Sequence, residues 1–122
     1  MNKRETRKRE TRIILPCARV IRRSWTGPVR PSLDWLQAAV GGLIEAVDAR
    51  VPQPDDGTEI RAYAHEEGRI LGYAHNALAS SLLSWPGLVG PVVVLTGWTT
   101  REYDGLDPIT PPELGTVYLQ VR

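Results

Sequence analysis

The sequence predicts an α+β fold: a small single domain with a mainly antiparallel sheet and two short helices, in the order β-β-α-β-β-β-α-β. A chain of 122 residues is long enough to bury one hydrophobic core but not two. Thr58–His65 alternates apolar and polar residues with the two-residue period of a half-exposed strand. Two other segments have the longer period and the capping residues of helices. The composition, 42% hydrophobic and 24% charged, is that of an ordinary globular domain.

The chain begins with two tandem copies of the pentapeptide KRETR, at residues 3–7 and 8–12. Neither copy contains an apolar side chain, so we expect residues 1–11 to form a disordered basic arm. Such an arm would attract the phosphates of a nucleic acid. The alternatives are a mobile extension without a function and a start codon placed upstream of the natural one. The candidate contacts are Lys3, Arg4, Arg7, Lys8, Arg9 and Arg12.

The predicted α+β domain covers residues 12–98 and opens with two strands. Ile13–Leu15 and Ala18–Trp25 are rich in β-forming residues and are separated by Pro16 and Cys17, which suggests a hairpin. Cys17 is the only cysteine, so we expect no disulfide and no cysteine-based zinc site, and a small buried side chain at this position.

The next segment predicts the first helix. Ser32 is a good N-cap, because its hydroxyl can accept a hydrogen bond from an otherwise unpaired helical N–H. Leu33, Leu36 and Val40 recur at helical spacing and form an apolar stripe. Gly41 can adopt the left-handed conformation that ends a helix.

A strand is predicted from Leu43 to Val51, and it carries one carboxylate. Glu45 shares a face with Leu43 and Val47, the face that we expect to be the better buried. A buried carboxylate must be paired, hydrogen-bonded or protonated. Glu45 is therefore the first candidate for a functional residue.

After Thr58–His65, the pair Glu67-Gly68 has a two-residue hairpin signature that would lead into a short strand at Arg69–Tyr73. Asn76 is a plausible N-cap for a second helix. Pro91–Trp98 contains three consecutive valines and predicts the central strand. Residues 99–122 read as a tail rich in Pro, Asp and Gly, with a possible edge strand at residues 116–121.

No catalytic or cofactor motif accompanies these elements, so we predict no cofactor and no metal. The spacing of the two histidines matches no common metal signature. Carboxylates brought together by the sheet would allow acid/base chemistry, whereas turn acids and one satisfied core glutamate would not. The candidate residues for binding a ligand or partner are Glu45, His65, Glu66, Glu67 and Asn76.

An ordered set of motifs resembles a known family. The motifs are VGGLIE at residues 40–45, EEGRI at residues 66–70, the pair Asn76-Ala77, and a Gly-x-Val-Val-Val strand that begins at Gly90. They are similar to a family of small uncharacterised domains that is common in bacteriophages and in mobile elements of bacteria, including actinobacteria. The resemblance covers residues 32–98, and the family usually has asparagine where this chain has His65.

The resemblance implies an accessory phage or prophage protein, and it brings no activity, substrate or cofactor with it. Carried over by position, the family's characteristic polar residues are Glu45, Glu66, Glu67 and Asn76.

Three functions are left open by the sequence. The first is a non-enzymatic protein that binds a host protein or a small ligand. The second is association with a nucleic acid through the basic arm, and the third is a small hydrolase that uses paired carboxylates. The longest apolar run, Leu88–Leu95, is too short to cross a bilayer, so we expect no membrane association and a cytoplasmic location.

Overall fold

The structure is a computed structural model that describes residues 8–111. These residues contain seven strands and three helices. In chain order the elements are β1 (Arg9–Ile14), β2 (Val20–Trp25), β3 (Val29–Pro31), α1 (Leu33–Val40), β4 (Ile44–Val47), β5 (Thr58–His65), α2 (Ala77–Leu82), β6 (Val92–Thr99), α3 (Thr100–Tyr103) and β7 (Asp107–Ile109).

Five strands form one antiparallel sheet in the order β2-β1-β6-β5-β4. The α+β class is therefore confirmed, and β6 lies in the centre as predicted. A second sheet consists of β3 and β7, which pair in parallel. Neither short strand was expected, because each has only three residues and each contains a proline.

The first strand begins at Arg9, so the second KRETR copy belongs to the sheet and not to the predicted arm. Its residues pair with β2 on one side and, from Glu10 onward, with β6 on the other. Thr11 is buried, and its hydroxyl accepts a 2.9 Å hydrogen bond from Trp25 Nε1. The prediction from composition is wrong here because it considers only side chains. The N–H and C=O groups of this segment pair with the neighbouring strands, although the segment has no apolar side chain. Residues 1–7 lie outside the described residues.

The predicted hairpin of β1 and β2 is confirmed, with a tight turn between the strands. Ala18 N–H donates to the Leu15 carbonyl, and Leu15 N–H donates to the Arg19 carbonyl, each at 2.9 Å. Ala18 has a φ of 69°, in the left-handed region. Cys17 lies at the tip and is exposed, so the prediction of a buried cysteine is wrong. A turn this short places its tip outside the core.

Helix α1 has the predicted caps. The Ser32 hydroxyl accepts from Trp35 N–H at 3.0 Å, and Gly41 has a φ of 92° and donates to the Gln37 carbonyl. The buried stripe differs from the prediction, because Leu33 is 55% exposed. The residues that face the sheet are Trp35, Leu36, Ala39 and Val40.

Each face of the sheet has its own core. On one face α1, which contributes Trp35, packs with Trp25 and Trp98. The Trp25 and Trp35 rings meet edge to face at 5.2 Å between centroids. On the other face the short α2 and the loop after it cover part of the sheet, through residues such as Ala79, Leu83 and Leu88. Coverage of this face decreases toward β2, since Ile14 of β1 is buried and Arg22 of β2 is exposed.

A bulge in β6 decides which core receives Trp98. Glu59 pairs with Trp98 and Arg61 with Leu95, so β6 has one residue more than β5 over this interval. Gly97 takes up the extra residue with a φ of 97°. Trp98 therefore lies with Leu95 in the α1 core, where its indole N–H donates to a backbone carbonyl at 3.0 Å.

Three further predictions concern the second half of the chain. Arg69–Tyr73 is not a strand: residues 66–72 form consecutive turns, so Glu67-Gly68 does not begin a hairpin. Asn76 does cap α2, and its side chain accepts from Ala79 N–H. The predicted tail contributes α3 and β7, and the expected strand at residues 116–121 lies outside the described residues. Within residues 8–111, no helix is long and apolar enough to cross a membrane.

Candidate functional site

The predicted site residue Glu45 is exposed, so its expected burial is wrong. It lies in β4, at the edge of the sheet, opposite Ala64 of β5. Its neighbour Val47 on the same face is buried, but Leu43 is 53% exposed. The two-residue period correctly assigned these residues to one face. It did not show that the covering layer ends before Glu45.

His65 is 7% exposed and has a structural setting. Its Nδ1 accepts a 2.9 Å hydrogen bond from Glu67 N–H, and its ring meets Tyr73 edge to face. A side chain at Gly42 would come within 2.5 Å of His65 Nε2. Of the two consecutive glycines, Gly41 therefore ends the helix and Gly42 makes room for this imidazole.

Asn76 is fully buried, and its side chain is fully used. Its Nδ2 donates to the carbonyls of Ile14 and Gly90, both at 2.8 Å, and its Oδ1 accepts from Ala79 N–H at 3.1 Å. The amide thus joins β1, the start of α2 and the loop before β6. Both hydrogens on Nδ2 are engaged, so this amide has no donor left for a ligand. Asn76 therefore has a structural role.

The acids Glu66 and Glu67 are exposed in the turn that follows β5. Glu66 N–H donates to the Leu43 carbonyl at 2.8 Å, which ties this turn to the start of β4. Glu45, Glu66 and Glu67 line neither of the two clefts described below. A role for these acids in partner binding stays a prediction.

A cleft of about 450 Å³ lies on the α2 side of the sheet, beside the end of α2. Volumes of this order are typical of ligand sites. Its floor is formed by β2, β1, β6 and β5, and its wall by the end of α2 and the loop before β5. Most of the lining is apolar, and the residues are Arg12, Ile14, Val20, Arg22, Val51, Pro52, Ile60, Leu82, Leu83, Val94 and Thr96.

Two arginines face each other across neighbouring strands in this cleft. Arg12 of β1 pairs in register with Arg22 of β2, and like charges in such a position repel. Glu10, only 9% exposed in its side chain, lies 3.2 Å from Arg12 and 3.9 Å from Arg22. Lys8 approaches the same carboxylate at 3.9 Å. One carboxylate thus stands among three cations, and the cleft keeps an excess of positive charge.

A second cleft of about 320 Å³ lies on the α1 side, beside β4 and β5. Its charged groups largely satisfy one another, since Glu59 and Arg61 form an ion pair. Burial alone would raise the pKa of Glu59, but hydrogen bonds from Thr100 and Arg61 and the Arg61 charge outweigh it, so the pKa lies below the ordinary value. This internal pairing makes the second cleft the weaker candidate.

Beside the second cleft, two guanidinium groups lie over the Tyr103 ring. Arg61 Cζ is 4.1 Å and Arg30 Cζ is 5.1 Å from the ring centroid. Tyr103 is 4% exposed. Burial, with a smaller contribution from Tyr63, raises the pKa of its hydroxyl above the ordinary value. The arrangement fixes α3 against the sheet.

The predicted nucleic-acid contacts are separated by the fold. Arg9 donates to the Gly27 carbonyl at 2.7 Å and pairs with Glu102 at 3.3 Å, which leaves its side chain 15% exposed. Arg12 lines the cleft, and Lys8 is 74% exposed. The remaining candidates, Lys3, Arg4 and Arg7, lie outside the described residues.

Residues 8–111 contain no group of three or more His, Cys, Asp and Glu side chains arranged to hold a metal ion. Comparison with models of protein families, with curated proteins and with solved structures gave no match. The resemblance to the phage family therefore stays a prediction.

Sequence reasoning missed the cleft, although one signal for it was present. Glu10 was assigned to the arm, Arg12 was a candidate nucleic-acid contact, and Arg22 was assigned to the second predicted strand. Placing the turn at residues 16–18 puts Arg12 opposite Arg22, because residues equidistant from a hairpin turn pair. The apolar floor had no comparable signal, since it depends on how far α2 extends.

Proposed function

We propose that this chain is a non-enzymatic binding protein whose cleft receives an apolar group that carries a negative charge. The observation that supports this function is the pair Arg12 and Arg22, which face each other beside an apolar floor and share the Glu10 carboxylate. An incoming anion would relieve the repulsion that Glu10 offsets only in part. The apolar part of the ligand would leave water on entry, at about 25 cal/mol per Å² buried.

The setting that we propose is the cytoplasm of a bacterial host, as an accessory protein of a phage or prophage. The resemblance of residues 32–98 supports this setting. The ligand group would belong to a host protein or to a small molecule, because both can present an apolar segment that ends in a carboxylate.

Binding can be tested with a fluorescent fatty acid, 11-(dansylamino)undecanoic acid, and its uncharged methyl ester. We expect the acid to bind with enhanced dansyl emission and the ester to bind less tightly. Added salt should weaken binding of the acid, because the arginines are partly exposed. Equal affinity for acid and ester would contradict a role for the two arginines.

Two pairs of variants locate the site. Arg22→Gln should weaken binding of the acid about fivefold, the loss of about 1 kcal/mol of charge interaction. Arg19→Gln is its control, since Arg19 is exposed in the same hairpin but does not line the cleft.

Leu82→Glu should abolish binding, because it places a negative charge at the cleft. Leu71→Glu is the matched control, since Leu82 and Leu71 are both 54% exposed and only Leu82 lines the cleft. If both glutamate variants bind the acid like the parent protein, the cleft is not the site and the proposed function is wrong.

A further inference from the structure

The strand β2 forms an edge of the five-stranded sheet and borders the cleft. Within residues 8–111 it pairs with β1 on one side and with no strand on the other. The opposite edge is β4, which has four residues, whereas β2 has six. An edge strand presents a row of unpaired N–H and C=O groups that can receive another strand.

The hairpin turn shows which β2 residues direct their backbone outward. Leu15 N–H donates to the Arg19 carbonyl, so these two residues form a hydrogen-bonded pair. Such pairs alternate along an antiparallel ladder, so every second β2 residue after Arg19 turns its amide toward β1. The residues between them, Val20, Arg22 and Ser24, direct their N–H and C=O groups away from the sheet.

The same residues have their side chains on the cleft side of the sheet. Val20 and Arg22 both line the cleft. In an antiparallel pair, directly opposed residues have side chains on the same face. A strand that pairs with the outer edge of β2 would therefore send alternate side chains over the cleft, beside Val20 and Arg22.

We propose that the partner is an extended acidic peptide segment that pairs antiparallel with β2 and continues the sheet. Its residue opposite Val20 is apolar and enters the cleft, and its residue opposite Arg22 is Asp or Glu. The charge of the edge supports this partner, because Arg19, Arg22 and Arg23 lie within five residues. The inference rests on the proposed function, since the same cleft receives the apolar side chain.

A second copy of this chain is a poorer occupant of the edge. Antiparallel pairing of two β2 strands would place the arginines of the copies beside one another, and like charges on opposed residues destabilise a sheet. An acidic segment converts the same arginines into favourable cross-strand pairs. Backbone hydrogen bonds would supply affinity, and the alternate side chains would supply specificity.

The test uses the full chain and a fluorescein-labelled peptide with the core Thr-Glu-Glu-Val-Val. In the proposed antiparallel pairing, the Thr of the peptide lies opposite Ser24 and its last Val lies opposite Val20. Fluorescence anisotropy measures its affinity. N-methylation of the second Glu and the last Val, which oppose Arg22 and Val20, removes the donors that face β2. We expect this to weaken binding at least tenfold, and N-methylation of the first Glu and first Val to weaken it much less.

A charge exchange provides the second measurement. Arg22→Glu should weaken binding of the parent peptide, and a peptide with Lys in place of the second Glu should recover affinity for that variant. Equal effects of the two N-methylation patterns, or failure of the Lys peptide to recover binding, would overturn strand pairing.

The outcome also separates this inference from the proposed function. If the dansyl fatty acid binds in the cleft and the peptide does not bind, the strand inference fails and the proposed function stands. If neither binds, both fail. Sedimentation of the protein alone should show a monomer, and a dimer that the peptide dissociates would identify a second copy as the natural occupant.

Discussion

The Asn76 side chain offers a direct test of how β1, α2 and the loop before β6 are held together. Asn76→Asp keeps the size of the side chain and keeps an oxygen that can cap α2. It removes both N–H donors, which bind the Ile14 and Gly90 carbonyls at 2.8 Å. The substitution thus separates the role of Asn76 as a link between elements from its role as a cap.

The expected loss of stability follows from these two hydrogen bonds. Leaving the Gly90 carbonyl unsatisfied costs about 1–3 kcal/mol. The Ile14 carbonyl also faces Val92 of β6, so losing its hydrogen bond from Asn76 costs only about 1 kcal/mol more. Burial also disfavours the charged carboxylate and raises its pKa. We therefore expect Asn76→Asp to lower the free energy of unfolding by about 4 kcal/mol at pH 7, a large share of the about 5–15 kcal/mol typical of a domain.

Urea unfolding followed by tryptophan fluorescence measures the loss, because Trp25, Trp35 and Trp98 lie in one core. Lowering the pH should reduce the difference from the parent protein, since the protonated acid is neutral and regains one donor. Ser32→Ala, which removes the cap of α1, should cost about 1 kcal/mol and serves as the reference. A loss for Asn76→Asp below that of Ser32→Ala would show that the two hydrogen bonds from Nδ2 contribute little to stability.

Three further predictions concern close contacts and one ion pair. Gly97→Ala should lower the free energy of unfolding by about 2–4 kcal/mol, because its Cβ would collide with the backbone at the start of β1. Gly57 is the control, since it has a similar φ of 86° but lies in open space, and Gly57→Ala should cost about 1 kcal/mol in the same urea measurement. Equal losses for the two variants would exclude the collision. Gly42→Ala should cost about 1–3 kcal/mol through contact with His65, and an unchanged urea midpoint would contradict that contact. The pKa of Glu59 is lowered on folding, so its contribution to stability is present above the ordinary value of 4.5 and is lost as the pH falls through the folded value. The melting temperature of Glu59→Gln should therefore fall less than that of the parent protein between pH 6 and pH 3, and parallel curves would count against the ion pair.

The best predictions from sequence concern features whose causes lie within a few residues. The caps of α1 at Ser32 and Gly41 were predicted correctly, and so was Asn76 as the N-cap of α2. Thr58–His65 was predicted with its observed bounds. Each depends on a hydrogen bond, a backbone conformation or a period that the neighbouring residues define by themselves.

The candidate site could be predicted only in part. Glu45 was assigned to the correct face of its strand, yet it is exposed because the covering layer ends at Val47. His65 was a candidate for binding a ligand or partner, yet it is buried against Gly42 and Tyr73. Burial depends on which distant segment packs over a face, and a period of two residues carries no such information.

The fold class, the caps of α1 and the central strand thus follow from the sequence alone. Tertiary structure decided that the second KRETR copy joins the sheet, that a bulge at Gly97 turns Trp98 into the α1 core, and that Arg12 meets Arg22 beside an apolar cleft. Local elements follow from interactions along the chain. Strand register and the extent of each covering layer follow from contacts between segments that are far apart in sequence.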